Sequence, residues 1–123
     1  MLQWIVSTLQ LMKVEGSKLK KIELASEEAI VNIIKHGYKD SLGEIEIEIQ
    51  SDSKYLAKIY LKDRGPPFNP LQSNDPNLST GIEDREVGGL GIFFIRQYVD
   101  DVTYSYVQGR NILCLLTHFS QTE

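Results

Sequence analysis

Asp63 is the residue whose type and position most plainly ask for a partner. The strand that carries it sets Ala57, Ile59, Leu61 and Asp63 on one face and Leu56, Lys58, Tyr60 and Lys62 on the other. At period two the carboxylate falls on the apolar, core-facing side at the strand's end. A charge held there is costly unless something hydrogen-bonds to it. Arg64, Gly65, Pro66, Pro67 and Phe68 follow at once, ending the strand and opening a loop whose backbone can lie against a flat ligand. The expected partner of Asp63 therefore comes from outside the protein; a strand-end aspartate that caps its own turn is the alternative.

Two further clusters could do chemistry. Glu28, Asn32 and His36 are spaced four apart on a helical stretch, so they share one face. Ile22, Ala25, Ala29 and Ile33 lie on the adjoining face and are expected to pack on a sheet. An amide oxygen from Asn32 suits a hard cation, and Glu28 one turn away can orient or deprotonate a nucleophile. A partly solvated polar face explains the same spacing. His36, directly before Gly37, equally suits a cation at a helix C-terminus. Gly88-Gly89-Leu90-Gly91, ahead of Ile92-Phe93-Phe94-Ile95, offers unhindered N–H groups at a helix N-terminus, an anion site, with a lid hinge as the alternative. No Gly-Lys-Ser/Thr follows, which excludes a Walker-type P-loop, and a polar loop rather than a strand precedes, which excludes a Rossmann fingerprint.

The elements that must position these groups are readable in outline. Leu2, Ile5, Val6, Leu9 and Met12 fall at helical spacing and predict a first helix over 2–13. Glu15-Gly16-Ser17 is a break, with Ser17 as N-cap of a second helix that ends at Gly37. Glu44 to Ile49 alternates strictly and predicts a strand with one buried face. Ser51-Asp52-Ser53 is the expected hairpin turn into a strand over 55–63. From Asn69 to Val87 the chain is polar and aperiodic for nineteen residues, the length of a functional lid. A helix over 92–99, a strand over 102–107, a turn at Gln108-Gly109 and a strand over 111–119 complete the order. Hairpin-paired strands with about three helices over one face make an α+β, two-layer sandwich with a mostly antiparallel sheet.

Composition narrows the class. At 123 residues the chain is the size of one domain, and 41% apolar with 24% charged residues is an ordinary globular balance. A net charge of −4, with no basic block longer than Lys20-Lys21, disfavours nucleic acid. The single cysteine, Cys114, excludes an internal disulfide and, inside the apolar run Ile112 to Leu116, is expected to be a buried core thiol. The opening Met1 to Val6 lacks the basic region of a signal peptide, and no stretch approaches a membrane span.

Three segments resemble the Bergerat-fold ATP-binding domain of the GHKL superfamily, and within it the RsbW-type anti-sigma-factor serine/threonine kinases. Ser26-Glu27-Glu28-Ala29-Ile30-Val31-Asn32-Ile33-Ile34-Lys35-His36-Gly37-Tyr38 resembles the N-box, Asp63-Arg64-Gly65-Pro66-Pro67-Phe68-Asn69-Pro70 the first glycine box, and Val87-Gly88-Gly89-Leu90-Gly91-Ile92 the second. Arg96 to Tyr104 and Gly109-Arg110-Asn111 continue the likeness. The resemblance implies that Asp63 accepts a hydrogen bond from the adenine amino group, that Gly65 lets the backbone approach the base, and that Pro67 and Phe68 are among the nucleotide-binding residues. It implies Asn32 as Mg²⁺ ligand, His36 as a further nucleotide-binding residue of the same box, and Glu28 as general base toward a serine hydroxyl. Gly89 and Gly91 would meet the phosphates with Gly88 and Leu90 as neighbouring nucleotide-binding residues, 69–87 would be the ATP lid, and Arg85 would help neutralise the γ-phosphate, a simply solvated lid arginine being the alternative.

The function this resemblance implies is a cytoplasmic, ATP-binding anti-sigma factor. It would phosphorylate a STAS-type anti-anti-sigma factor and sequester a sigma factor, with a homodimer as one family option. A nucleotide-gated regulatory binding module without phosphoryl transfer is the alternative. Two departures stand out: Pro67 occupies a position where many relatives have glycine, and the chain enters within the first helix, so a sheet one strand narrower or a shortened start is expected.

Overall fold

The computed structural model describes residues 1–37, 44–53, 55–72 and 87–119. Three helices, α1 (Leu2–Leu11), α2 (Gly16–Asn32) and α3 (Val87–Tyr98), cover one side of a sheet built from β1 (Ile45–Ser53), β2 (Leu56–Asp63), β3 (Asp101–Val107) and β4 (Arg110–His118). The sheet order is β1-β2-β4-β3 and every pairing is antiparallel. This is the α+β two-layer sandwich the alternation of strands and helices predicts.

The core forms where the periods meet. The inward phase of β2 buries Ala57, Ile59, Leu61 and Asp63, and that of β4 buries Asn111, Leu113, Leu115 and Thr117. Against them lie Ile22, Ala25, Ala29 and Ile33 of α2 and its extension, Ile5 and Leu9 of α1, and Ile92 and Ile95 of α3. Each buried leucine or isoleucine contributes about 1.5–3 kcal/mol relative to exposure. Ile45, Ile47 and Ile49 of edge strand β1 reach this cluster only in part.

Four local expectations are corrected. Ser17 is not the N-cap: α2 starts at Gly16, Glu15 holds the cap position without a side-chain bond, and Gly16 turns the chain at a φ of 68° that suits glycine. Ser17 is thus already inside the first turn. The sequence Ser51-Asp52-Ser53 is not the hairpin turn but the end of β1, because a register shift between Ser51 and Ser53 carries the ladder on to a Ser53↔Leu56 pair, and the Ser51 hydroxyl donates to the Leu56 carbonyl at 3.0 Å. Cys114 is not a core thiol. It sits half-buried on the opposite face of β4, between Ile112 and Leu116, and desolvation pushes its thiol pKa up. Finally, α3 begins at Val87 rather than Ile92, so the glycines lie within its first turns.

The β3–β4 hairpin closes through Gln108 and Gly109, at φ of 53° and 77°, the two positive angles of a tight turn that matches strand twist. No helix among the described residues is long and apolar enough to cross a membrane.

Candidate functional site

The inward phases of β2 and β4 run out at the same end of the sheet, and there they pair Asp63 with Asn111. Both are buried, at 4% and 5% exposure. The Gly65 N–H donates to Asp63 Oδ1 at 2.9 Å, and Asn111 Nδ2 donates to the same oxygen at 3.0 Å. Among the described residues both hydrogen bonds to Asp63 end on Oδ1, which leaves Oδ2 open. The expectation of a wholly external partner is therefore corrected by half: the described residues satisfy one oxygen and not the other.

Asn111 was not picked out as a site residue from the sequence. Besides Asp63, its Nδ2 faces the carbonyls of Gly65 at 3.2 Å and Pro66 at 3.0 Å, while its Oδ1 accepts from the Phe68 N–H at 3.0 Å and the Tyr104 hydroxyl at 2.5 Å. The Gly-Pro loop is thus fastened to β4 and β3 through one carboxamide. Burial pushes the Tyr104 phenol pKa up, and the Asp63 charge adds to the rise, so the hydroxyl stays a donor at neutral pH. No periodic signal in the sequence marks Asn111, because the apolar run Ile112 to Leu116 hides the phase of β4; once pairing with β2 sets Leu113 and Leu115 inward, a polar side chain one step before them needs a reason.

A cleft opens above this pair. Its apolar walls are Ala29, Ile33, Phe68, Pro70 and Leu113, and its polar groups are Asn32, Asp63, Tyr104 and Asn111. Asn32 is 5% exposed and its Nδ2 has no hydrogen-bond partner among the described residues, an orphan that a ligand in the cleft would relieve. Glu28 is half-buried one turn before it. The α-helix ends at Asn32, and Ile33–Gly37 continues as a π-helix, which widens the turn that follows Asn32; the side chain of His36 lies outside what the structure describes. Single π turns are frequent at functional sites. Among the described residues no three His, Cys, Asp or Glu side chains could hold a metal. One amide oxygen nonetheless fits Mg²⁺, which takes most of its ligands from phosphates and water.

Of the other sequence candidates, Gly65 is buried and built into the Asp63 network, Phe68 lines the cleft, and Pro67 is exposed on the loop. Gly88, Gly89 and Leu90 belong to the first turn of α3, whose N–H groups find no acceptor within a helix, and Gly91 follows directly. Arg85 and most of the expected lid lie outside the described residues. The first part of that segment is not structureless: Pro70–Gln72 forms a 3₁₀ turn, started by Asn69 Oδ1 accepting the Leu71 N–H at 2.9 Å and tied to α3 by Arg96 Nη2 donating to the Leu71 carbonyl at 3.2 Å.

A sandwich of this topology, with a buried carboxylate at the sheet end and an amide on the covering helix, has the build of the ATPase domains found in histidine kinases. The chain belongs to that family: the Histidine kinase-like ATPase domain matches residues 1–117. Among curated proteins it is similar to the serine-protein kinase RsbW of Bacillus cereus (strain AH820), at 30% identity over 109 residues, 85% of this chain and 66% of that protein. It is also similar to the serine/threonine-protein kinase BtrW of Bordetella bronchiseptica, at 24% identity over 98 residues, 79% of this chain and 68% of that one. The chain thus spans 66% of the length of the Bacillus relative. Among solved structures, the histidine kinase domain of the Erythrobacter litoralis EL346 blue-light activated histidine kinase superposes with a TM-score of 0.63 at 16% identity, covering 98% of this chain and 60% of that one. Acinetobacter baumannii histidine kinase AdeS gives a TM-score of 0.58 at 16% identity, covering 83% and 47%. These two likenesses establish the fold.

Proposed function

We propose that this chain is an ATP-dependent protein serine kinase of the anti-sigma type, folded as one domain and acting in the cytoplasm. Its substrate would be a STAS-type anti-anti-sigma factor, and the same surface system would sequester a sigma factor. The observation that carries the reading is the open Oδ2 of buried Asp63 at the floor of an apolar cleft, an acceptor suited to the adenine amino group. The names of the curated relatives, both protein kinases acting on serine or threonine, support the chemistry.

In this reading Phe68, Ile33 and Leu113 sandwich the base, and the first turn of α3 meets the phosphates. Asn32 would hold Mg²⁺ through its amide oxygen, and the ion would supply positive charge to offset the phosphates. Glu28 takes the proton of the substrate serine as its Oγ forms a bond to the γ-phosphorus and the bond to the β-phosphate oxygen breaks, releasing ADP. Phosphoryl transfer depends mainly on positioning and charge, so this small set of groups suffices.

Incubation with Mg-ATP and the cognate STAS protein should yield phosphoserine, and Glu28→Gln should slow transfer by about 10²–10⁴-fold, the range of general-base catalysis. Phosphoserine appearing at the same rate in Glu28→Gln would remove that residue from the reaction. Tight ATP binding without transfer to any STAS candidate would leave a nucleotide-gated binding module instead.

A further inference from the structure

We propose that Asn111 is a positioning residue that makes the cleft selective for adenine over guanine, by committing one oxygen of Asp63 and so offering the base a single acceptor. This rests on the reading of the cleft as a purine nucleotide site.

The orientation of the Asn111 carboxamide is not arbitrary. Two donors, the Phe68 N–H and the Tyr104 hydroxyl, converge on its Oδ1. A flipped amide would turn N–H against N–H, so the nitrogen must face Asp63. There its two hydrogens serve three acceptors: Asp63 Oδ1 and the carbonyls of Gly65 and Pro66. With the Gly65 N–H also on Oδ1, that oxygen has two donors and Oδ2 none from the described residues.

The consequence is chemical discrimination. Guanine presents two parallel donors, N1–H and the 2-amino group, which match a carboxylate with both oxygens available. Adenine presents one amino group beside an acceptor nitrogen, and needs only one oxygen. A carboxylate held on one side by Asn111 accepts adenine as it stands and accepts guanine's pair only by giving up bonds that also pin the loop. Tyr104 contributes through Asn111, by fixing which end of the amide meets Asp63.

The test is calorimetric titration of the full chain with Mg-ATP and Mg-GTP, for the wild type, Asn111→Ala and Tyr104→Phe. The wild type should prefer ATP. In Asn111→Ala the ATP affinity should fall roughly tenfold or more while GTP affinity holds or rises, so that the preference collapses. Tyr104→Phe, which removes one hydroxyl at a half-buried position, should reduce the preference in the same direction by about two- to tenfold. It decides the matter if Asn111→Ala does not fold. An ATP-to-GTP ratio unchanged by both substitutions, or a parallel loss of both nucleotides, overturns the role of Asn111 while leaving the ATP site intact. A wild-type chain that binds neither nucleotide overturns the underlying reading as well.

Discussion

The two ends of the β2–β4 ladder bury polar groups on the same face of the same sheet, and they do so to opposite effect. At one end Asp63 pairs with Asn111, both are hydrogen-bonded, and a cleft opens over them. Toward the other end Ala57 pairs with Thr117, which is fully buried with its hydroxyl unpartnered. Ser26 of α2 is in the same condition. Burial of a polar atom is thus not in itself a mark of function. What distinguishes the Asp63 end is arrangement: donors converge on one oxygen, a neighbouring oxygen is left open, and an amide on the covering helix faces the same space.

Substitutions at the two ends should therefore separate binding from stability. The largest effect is expected for Asp63→Asn, which cannot present a charged acceptor; losing a hydrogen bond to a charged group costs about 1.5–3 kcal/mol, so ATP affinity should fall roughly tenfold or more. Unchanged affinity by calorimetry would remove Asp63 from base recognition. Next comes Asn32→Leu, which trades an orphaned amide for an apolar group of similar size. Thermal stability should hold or rise, while the magnesium dependence of ATP binding should disappear. Retained magnesium dependence would reassign the metal ligand.

Thr117→Val at the opposite end and Ser26→Ala in α2 remove hydroxyls that have no partner among the described residues, and should leave stability unchanged or raise it by up to about 1 kcal/mol with ATP affinity intact. A loss of ATP affinity in either would erase the contrast between the two ends. The smallest effect is expected at Asp100, whose carboxyl pKa the His118 backbone N–H, donating at 2.6 Å, holds below its ordinary value. A lowered folded value stabilises the native state above the unfolded pKa of about 3.9, and that contribution is lost as pH falls through the folded value. The group is more than a third exposed, so solvent screening keeps the contribution below about 1 kcal/mol. Asp100→Asn should lower the melting temperature slightly at neutral pH and not at all in strong acid.

Asp63 was legible because a strand has only two faces, and three apolar residues in phase fix which one a fourth residue joins. The packing face of α2 was legible for the same reason at helical period. The phase of β4 was not: five apolar residues from Ile112 to Leu116 carry no alternation, so only pairing with β2 could decide that Cys114 faces out and Asn111 in. Asn111 also gains its meaning from partners far away along the chain, Asp63 and the loop after it, and spacing rules see only neighbours. The π turn after Asn32 was hidden because Ile33 to Gly37 satisfies an ordinary helical pattern. Motif resemblance named Asn32, Asp63 and Phe68, which the structure brings to one cleft, but not the bonds that hold that cleft in shape.

The Asp63–Asn111 bond joins residues 48 positions apart. Recognition by this carboxylate would therefore be a property of the closed sheet, since β2 alone cannot hold the bond and the last hairpin must dock before it exists. A ligand bound there is gripped by the native state and not by the denatured chain, so nucleotide should raise the melting temperature in proportion to the logarithm of its concentration once the site is saturated. The cell's ATP pool would then act on this domain as a folding cofactor as well as a substrate.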